Sequence, residues 1–153
     1  MTIRALTAAD RAALAGFTCA RLGEAWAEAV QETIRHDLAD QLAAATVSAV
    51  GLFDEDGVLC GVAAWRIYDV MPPVLCRSDI VAVAVRQQRK GYGRALKQAV
   101  IDEARAAGAV AVASIVHRNN TAMLALNRRL GATIEYNPED PENCRCAIGP
   151  LQG

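Results

Sequence analysis

No stretch of this chain is apolar over anything near the roughly 18 residues a membrane-spanning helix needs. The first residues, MTIRALTAADRAAL, place Asp10 and Arg11 where a secretory signal keeps its apolar centre. The expectation is therefore a cytoplasmic protein with no membrane partner. An excess of one charge is missing too: 16 Lys and Arg stand against 17 Asp and Glu, for a net charge of -1. Nothing in that balance argues for nucleic acid or anionic lipid, so any anion binding has to be local. A disulfide framework is lacking. The five cysteines, Cys19, Cys60, Cys76, Cys144 and Cys146, are odd in number and scattered, which reads as reduced thiols. Cys144 and Cys146 have no second cysteine pair, and His36 and His117 lie far from them in sequence, so they are read as strand residues and no metal is expected. Repeats, low-complexity segments and Pro/Gly/Ser linkers are all absent. With 153 residues and 53% hydrophobic composition, the chain reads as a single domain over 1–153 around one core.

What is present reads as mixed α/β. Thr2 to Leu6 is a short strand, and Thr7 is placed to cap a helix from about Ala8 to Cys19. From Glu24 to Ala45 the apolar residues Trp26, Val30, Ile34, Leu38 and Leu42 recur every four positions, a stripe along one helix face. Thr46 to Phe53 and Val58 to Tyr68 are strand-like around Asp54-Glu55-Asp56-Gly57, which is turn chemistry and predicts an antiparallel hairpin. Ile80 to Val85 is continuously apolar, as a strand covered on both faces would be. Val110 to Val116 is a further strand, and Thr121 to Leu130 a helix that Gly131 ends.

Between the apolar run and the next helical pattern stands QQRKGYGRAL, Gln87 to Leu96, with two glycines and three cations in the six residues Arg89 to Arg94. The glycines fall at a helix N-terminus, where the first backbone N–H groups have no intrahelical partner and the dipole is positive. A phosphate is favoured there, and glycine at 91 or 93 lets it approach the amides. Arg89, Lys90 and Arg94 can add charge-assisted contacts. The plainer alternative is a helix start with solvated cations. Neither a P-loop nor a dinucleotide fingerprint fits, since no Gly-Lys-Ser/Thr follows and Leu96 stands where a third glycine is needed.

Val83 to Gly93, ending in Gln88-Arg89-Lys90-Gly91-Tyr92-Gly93, resembles the acetyl-coenzyme A signature of the GNAT superfamily of N-acetyltransferases, Gln/Arg-x-x-Gly-x-Gly/Ala. Val116 to Ala132 resembles the family's later segment, with Asn120 at its Asn position and a helix closing in Leu-Gly. The resemblance implies a mixed, mostly antiparallel central sheet with a splay between its two central strands, flanked by helices. It implies acetyl-coenzyme A as co-substrate, its pantetheine along Val83, Ala84 and Val85 and its pyrophosphate on the amides of Gln88, Arg89, Lys90, Gly91, Tyr92, Gly93 and Arg94. A backbone N–H near Val83 to Val85 would then stabilise the oxyanion formed when an amine attacks the thioester.

An alkylammonium with a pKa of about 10.4 must lose a proton before it can attack. Asp79 is the first candidate base, with Glu24, Glu28 and His117 behind it. Each also has a structural reading as a strand-end, solvated or loop residue. At Asn127 the chain departs from the family, which often carries Tyr there to protonate the departing thiolate. Asn127 can offer sulfur a hydrogen bond, or it is an ordinary helix residue. No acetyl-cysteine route is invoked, because neither Cys60 nor Cys76 has an evident base beside it. The expected activity is acetyl transfer to a primary amine of a small molecule or peptide by direct attack in a ternary complex. The alternatives are a degenerate acyl-coenzyme A-binding or sensing module and a non-catalytic dimerisation domain. A homodimer is left open. The acceptor is undefined; Trp26, Glu24, Glu28, Asp69 and Met71 are candidates to line its cleft.

Overall fold

The computed structural model describes residues 1–152. In chain order the elements are β1 (Thr2–Ala5), α1 (Arg11–Ala15), α2 (Ala25–Glu32), α3 (Leu38–Ala43), β2 (Ser48–Phe53), β3 (Leu59–Tyr68), β4 (Leu75–Val83), α4 (Tyr92–Ala106), β5 (Val112–His117), α5 (Thr121–Arg129), β6 (Thr133–Asn137) and β7 (Asp140–Ile148). The strands form one seven-stranded, mostly antiparallel sheet in the order β1-β2-β3-β4-β5-β7-β6, with β4 and β5 its parallel pair. By contact density the chain gathers into two compact units, Met1–Trp65 with Ile80–Lys97, and Arg66–Asp79 with Gln98–Gly153.

In the first unit, Thr7 does cap the chain's first helical turn. Its hydroxyl accepts the Ala9 amide, and Asp10 returns the bond to the Thr7 amide in a capping box. The helix expected to reach Cys19 stops at Ala15. Residues 16–24 form a loop instead, although Phe17 and Cys19 are buried, which is why the apolar pattern overran the helix. The run from Glu24 to Ala45 is helical but not uniform, since Thr33–Asp37 is a π turn between α2 and α3. Its cause is in the spacing. An α-helix turns in 3.6 residues, so a stripe repeating every four positions drifts by about 40° per step. One wide turn takes up that drift. Ile34 and Leu38 are fully buried as a result, with Val30 and Leu42 packed at the edge of the same core.

The β2–β3 hairpin forms as expected, with Asp54 Oδ1 accepting the Asp56 and Val58 amides and Gly57 at φ +78°. The central strand differs from expectation. β4 begins at Leu75, five positions before the apolar run, and ends at Val83, after which Val85–Gln87 make a 3-10 turn. The run is not covered on both faces either: Ile80 and Ala82 are buried, whereas Val81 and Val83 are half-buried.

In the second unit β5 pairs along its length with β7, from Val112↔Ile148 to His117↔Asn143. Its parallel ladder with β4 holds only Cys76↔Val112 and Arg77↔Ala113. The parallel pairing of β5 on that side thus stops at Ala113. Cys144 and Cys146 sit in β7, buried beside Val116 and Leu124, as expected of strand residues. At the end of α5 the Gly131 amide (φ +85°) donates to Arg128 and the Ala132 amide to Asn127, closing the helix in a Schellman motif.

Candidate functional site

The last residues of β4 divide their backbone groups between two directions. Ala84 donates its N–H to the Cys60 carbonyl at 2.8 Å, toward β3. In an antiparallel pair successive residues alternate, so Val81 and Val83 turn their N–H groups away from β3. Val85 spends its amide on the Thr18 carbonyl at 3.0 Å. Of the three residues expected to present backbone to pantetheine, Val83 is the one whose N–H faces neither β3 nor that loop; those of Ala84 and Val85 are committed to protein carbonyls.

Beyond the 3-10 turn Gln88 is extended, and then Arg89 and Gly91 take φ values of +66° and +82°. Positive φ alternating with ordinary backbone turns neighbouring N–H groups toward one side, the concavity that holds anions. For Arg89 this conformation costs free energy, of order 1–3 kcal/mol in a residue with a Cβ. The Gly91 carbonyl accepts the Ala95 amide, so the amides of Tyr92, Gly93 and Arg94 precede the first intrahelical donor of α4. A Cβ at Gly91 would meet no atom within 4 Å, yet its φ would be strained for any other residue. Lys90 donates to the Gln87 side chain at 3.0 Å in an exposed contact. Among the described residues Arg89 and Arg94 take part in no ion pair.

Gln88 is arranged differently from the rest. Its Nε2 donates to the carbonyls of Cys19 (3.2 Å) and Val83 (3.1 Å), and its Oε1 accepts from Arg21 Nε (3.0 Å). The side chain is thereby occupied by protein, and what it leaves for a ligand is its backbone. The segment it grips is fastened from the other side as well. Gln31 Oε1 accepts the amides of Cys19 and Ala20, and Arg35, in the π turn, donates to the Phe17 carbonyl and the Thr18 hydroxyl. Glu24, a candidate base, accepts the Arg21 amide at 2.8 Å. A cavity of about 920 Å³ opens between this segment and the turn after β4, lined among others by Phe17, Leu22, Val58, Val85 and Gln87. None of these ties was visible in the sequence, because Arg21 and Gln88 lie 67 positions apart.

Glu28, another candidate base, is exposed on α2 in the first unit, whereas Asp79, Asn120 and His117 belong to the second. Asp79 is flanked by two arginines, with Arg66 Nε donating to Oδ2 at 3.0 Å and Arg77 Nε 2.7 Å from Oδ1. The Arg77 contact is an ion pair without hydrogen-bond alignment, which leaves the buried Oδ1 with no hydrogen-bond donor. Asn120 caps α5, its Oδ1 accepting the Met123 amide. His117 Nδ1 accepts the Asn119 amide at 3.1 Å.

The model of the acetyltransferase (GNAT) family matches residues 11–132. The chain belongs to the GNAT family of acetyltransferases. No curated protein sequence gives a significant match. Among solved structures it is similar to the PaiA N-acetyltransferase of Thermoplasma acidophilum in complex with coenzyme A, at 15% identity and TM-score 0.77 over 97% of this chain and 99% of that one. It is also similar to the ribosomal-protein-alanine N-acetyltransferase of Brucella melitensis (20%, TM-score 0.71, 97% and 99%) and to Chaetomium thermophilum Naa20 bound to a bisubstrate analogue (17%, TM-score 0.65, 97% and 86%). At these identities the likeness is one of fold.

In this GNAT chain the cysteines are poor nucleophiles. All five are buried, and none is in a disulfide. Burial pushes the Cys19 thiol up to about 11, and burial, with the Asp54 charge second, raises that of Cys60. Both stay protonated near neutrality, where the thiolate would be the attacking form.

Asn127 is the position with an unexplained cost. It is fully buried in α5, and its Nδ2 donates to the Met123 carbonyl at 2.9 Å, which fixes Oδ1 on the other side. That Oδ1 has no hydrogen-bond donor. A buried acceptor left unpaired costs about 1–3 kcal/mol. Asn127→Leu, of similar size, removes the orphan and is expected to raise the melting temperature by about 2–4 °C per kcal/mol recovered. Lowered turnover in the same variant would mark Asn127 as a polar group kept for function; unchanged turnover would make it a bystander.

Proposed function

We propose that this GNAT acetyltransferase moves the acetyl group of acetyl-coenzyme A onto a primary amine by direct attack in a ternary complex, in the cytoplasm. The observation that carries the reading is the loop from Gln88 to Arg94. It sets strained backbone, unfilled helix amides and two unpaired arginines immediately after a strand whose Val83 N–H has turned away from β3. Phosphate oxygens suit those amides. The Val83 N–H suits the thioester carbonyl, where a hydrogen bond gains strength as the oxygen becomes an anion. A neighbour of like fold bound to coenzyme A and another bound to a bisubstrate analogue support the cofactor and the ternary route. Five reduced thiols support the compartment.

In the step itself the amine nitrogen bonds to the carbonyl carbon, the oxyanion forms and collapses, and the C–S bond breaks to release coenzyme A thiolate. The thiol pKa of about 8.5 makes that departure easier than loss of an amine, so no strong acid is required. Asn127 and Asp79 remain the proposed polar groups of the reaction. Oδ1 of Asp79 lacks a hydrogen-bond donor and is the atom to receive a proton, while Arg66 holds Oδ2. Protonation there gives up the ion pair with Arg77, which is the cost of this assignment.

Acetyl-coenzyme A mixed with a panel of small amines, amino acids and peptides is expected to release thiol with some acceptor. A thermal melt and calorimetry with coenzyme A test the cofactor separately, and no melt shift and no binding at millimolar coenzyme A would overturn the reading. Gly91→Val is expected to weaken coenzyme A binding tenfold or more, because it disturbs the loop amides, whereas Lys90→Ala costs less than about threefold, a surface cation being replaceable. Equal losses would mean that charge outweighs loop shape. Asp79→Asn is expected to lower turnover by about 10²-fold or more with coenzyme A affinity unchanged, the usual reach of general base catalysis. Parent-level turnover would leave Asp79 as a brace between Arg66 and Arg77.

A further inference from the structure

We infer that Gln88 is a positioning residue, a latch that fastens the Phe17–Leu22 segment to the phosphate loop so that filling the loop with coenzyme orders the segment. The inference rests on the coenzyme reading of Gln88–Arg94. It gives the first residue of the Gln/Arg-x-x-Gly-x-Gly pattern a task away from the phosphates.

The chemistry of the contacts fixes the amide orientation. Two carbonyls, Cys19 and Val83, can only accept, and a guanidinium, Arg21, can only donate, so Nε2 must face the first two and Oε1 the third. Both Nε2 hydrogens are used. An arginine at 88 could serve the two carbonyls but would set its charge against Arg21. A glutamate could serve Arg21 but would repel both carbonyls. A side chain with donor and acceptor on one planar group satisfies all three.

The gripped segment depends on such ties, since it has no helix or strand of its own to satisfy its backbone. Gln31 holds the amides of Cys19 and Ala20 while Gln88 holds the Cys19 carbonyl, and the Val85 amide adds a strap to the Thr18 carbonyl. Cys19 is thus held by two glutamines, one on α2 and one on the phosphate loop. A loop that settles around phosphates keeps Gln88 in place, and with it the segment that leads into α2 and borders the cavity. Coenzyme binding and segment order are then one equilibrium, and each strengthens the other.

The test is hydrogen exchange of residues 17–24 in the full chain, with and without saturating coenzyme A, in the parent, Gln88→Met, Gln88→Arg and the surface variant Arg21→Met. Without ligand, Gln88→Met is expected to exchange about 3–10-fold faster over this segment, the loss of one or two hydrogen bonds, with Arg21→Met moving the same way by less. Coenzyme A is expected to slow exchange in the parent segment and not in Gln88→Met. Gln88→Arg, which keeps donors for the two carbonyls but loses the acceptor for Arg21, should exchange at a rate between the parent and Gln88→Met and bind coenzyme A no tighter than the parent. The latch is overturned if ligand-free Gln88→Met and Arg21→Met both exchange as the parent does. It is also overturned if Gln88→Arg binds coenzyme A more tightly, which would put the side chain on the phosphates, or if coenzyme protection survives in Gln88→Met. A parent that binds no coenzyme A overturns the coenzyme reading and the coupling together, and the ligand-free comparison then judges the tie alone.

Discussion

Each backbone amide and carbonyl that leaves a sheet has to find another partner or stay wet, and the six residues from Val83 to Gln88 show how this chain meets that demand. Ala84 still pairs with β3, Val85 turns to the Thr18 carbonyl, and Val83 receives the Gln88 side chain on its carbonyl while its amide faces away from β3. Had β4 continued in register, the Val85 amide would not have turned to the Thr18 carbonyl and the glycine loop would start elsewhere. The strand's end at Val83 is followed directly by the 3-10 turn and the glycine loop that leads into α4.

The π turn belongs to the same arrangement. It reconciles a four-residue apolar repeat with a 3.6-residue helix, and in doing so it sets Arg35 where it reaches the Phe17 carbonyl and the Thr18 hydroxyl. Packing of Ile34 and Leu38 thereby fixes a cation against an irregular segment some seventeen positions earlier in the chain. The same helix contributes Gln31 to that segment. A core requirement and a site requirement are met by one local departure from regular helix.

Two features run against stability, one in the candidate phosphate loop and one at a residue proposed for the reaction. Arg89 occupies left-handed backbone that favours glycine, and Asn127 buries an acceptor without a donor. The surroundings must hold each in place: the Gly91 turn and helix start for the first, the bond to the Met123 carbonyl for the second. Strain of this kind persists where the fold over-determines the position. It is consistent with groups that complete their hydrogen bonding only when a ligand arrives.

Local patterns settled much of this protein without help from the fold. Alternating and four-spaced apolar residues, Thr7, Asp54 to Gly57 and Gly131 mark the elements, since each acts through neighbours within about four positions. The motif from Gln88 to Gly93 pointed to phosphate for the same reason: helix N-terminal amides and glycine are local properties. The limits of the first helix were misread because burial of Phe17 and Cys19 in a loop looks, in sequence, like one more turn of helix. Beyond that range only the tertiary structure decides. It sends the Gln88 side chain to Arg21 and Cys19, brackets Asp79 with Arg66 and Arg77, and separates the amide of Val83 from those of Ala84 and Val85. Those outcomes depend on which distant groups a strand end or a side chain meets. A one-dimensional pattern carries the type of each residue, and the geometry of long-range contacts decides which of its hydrogen-bonding groups are still free to act.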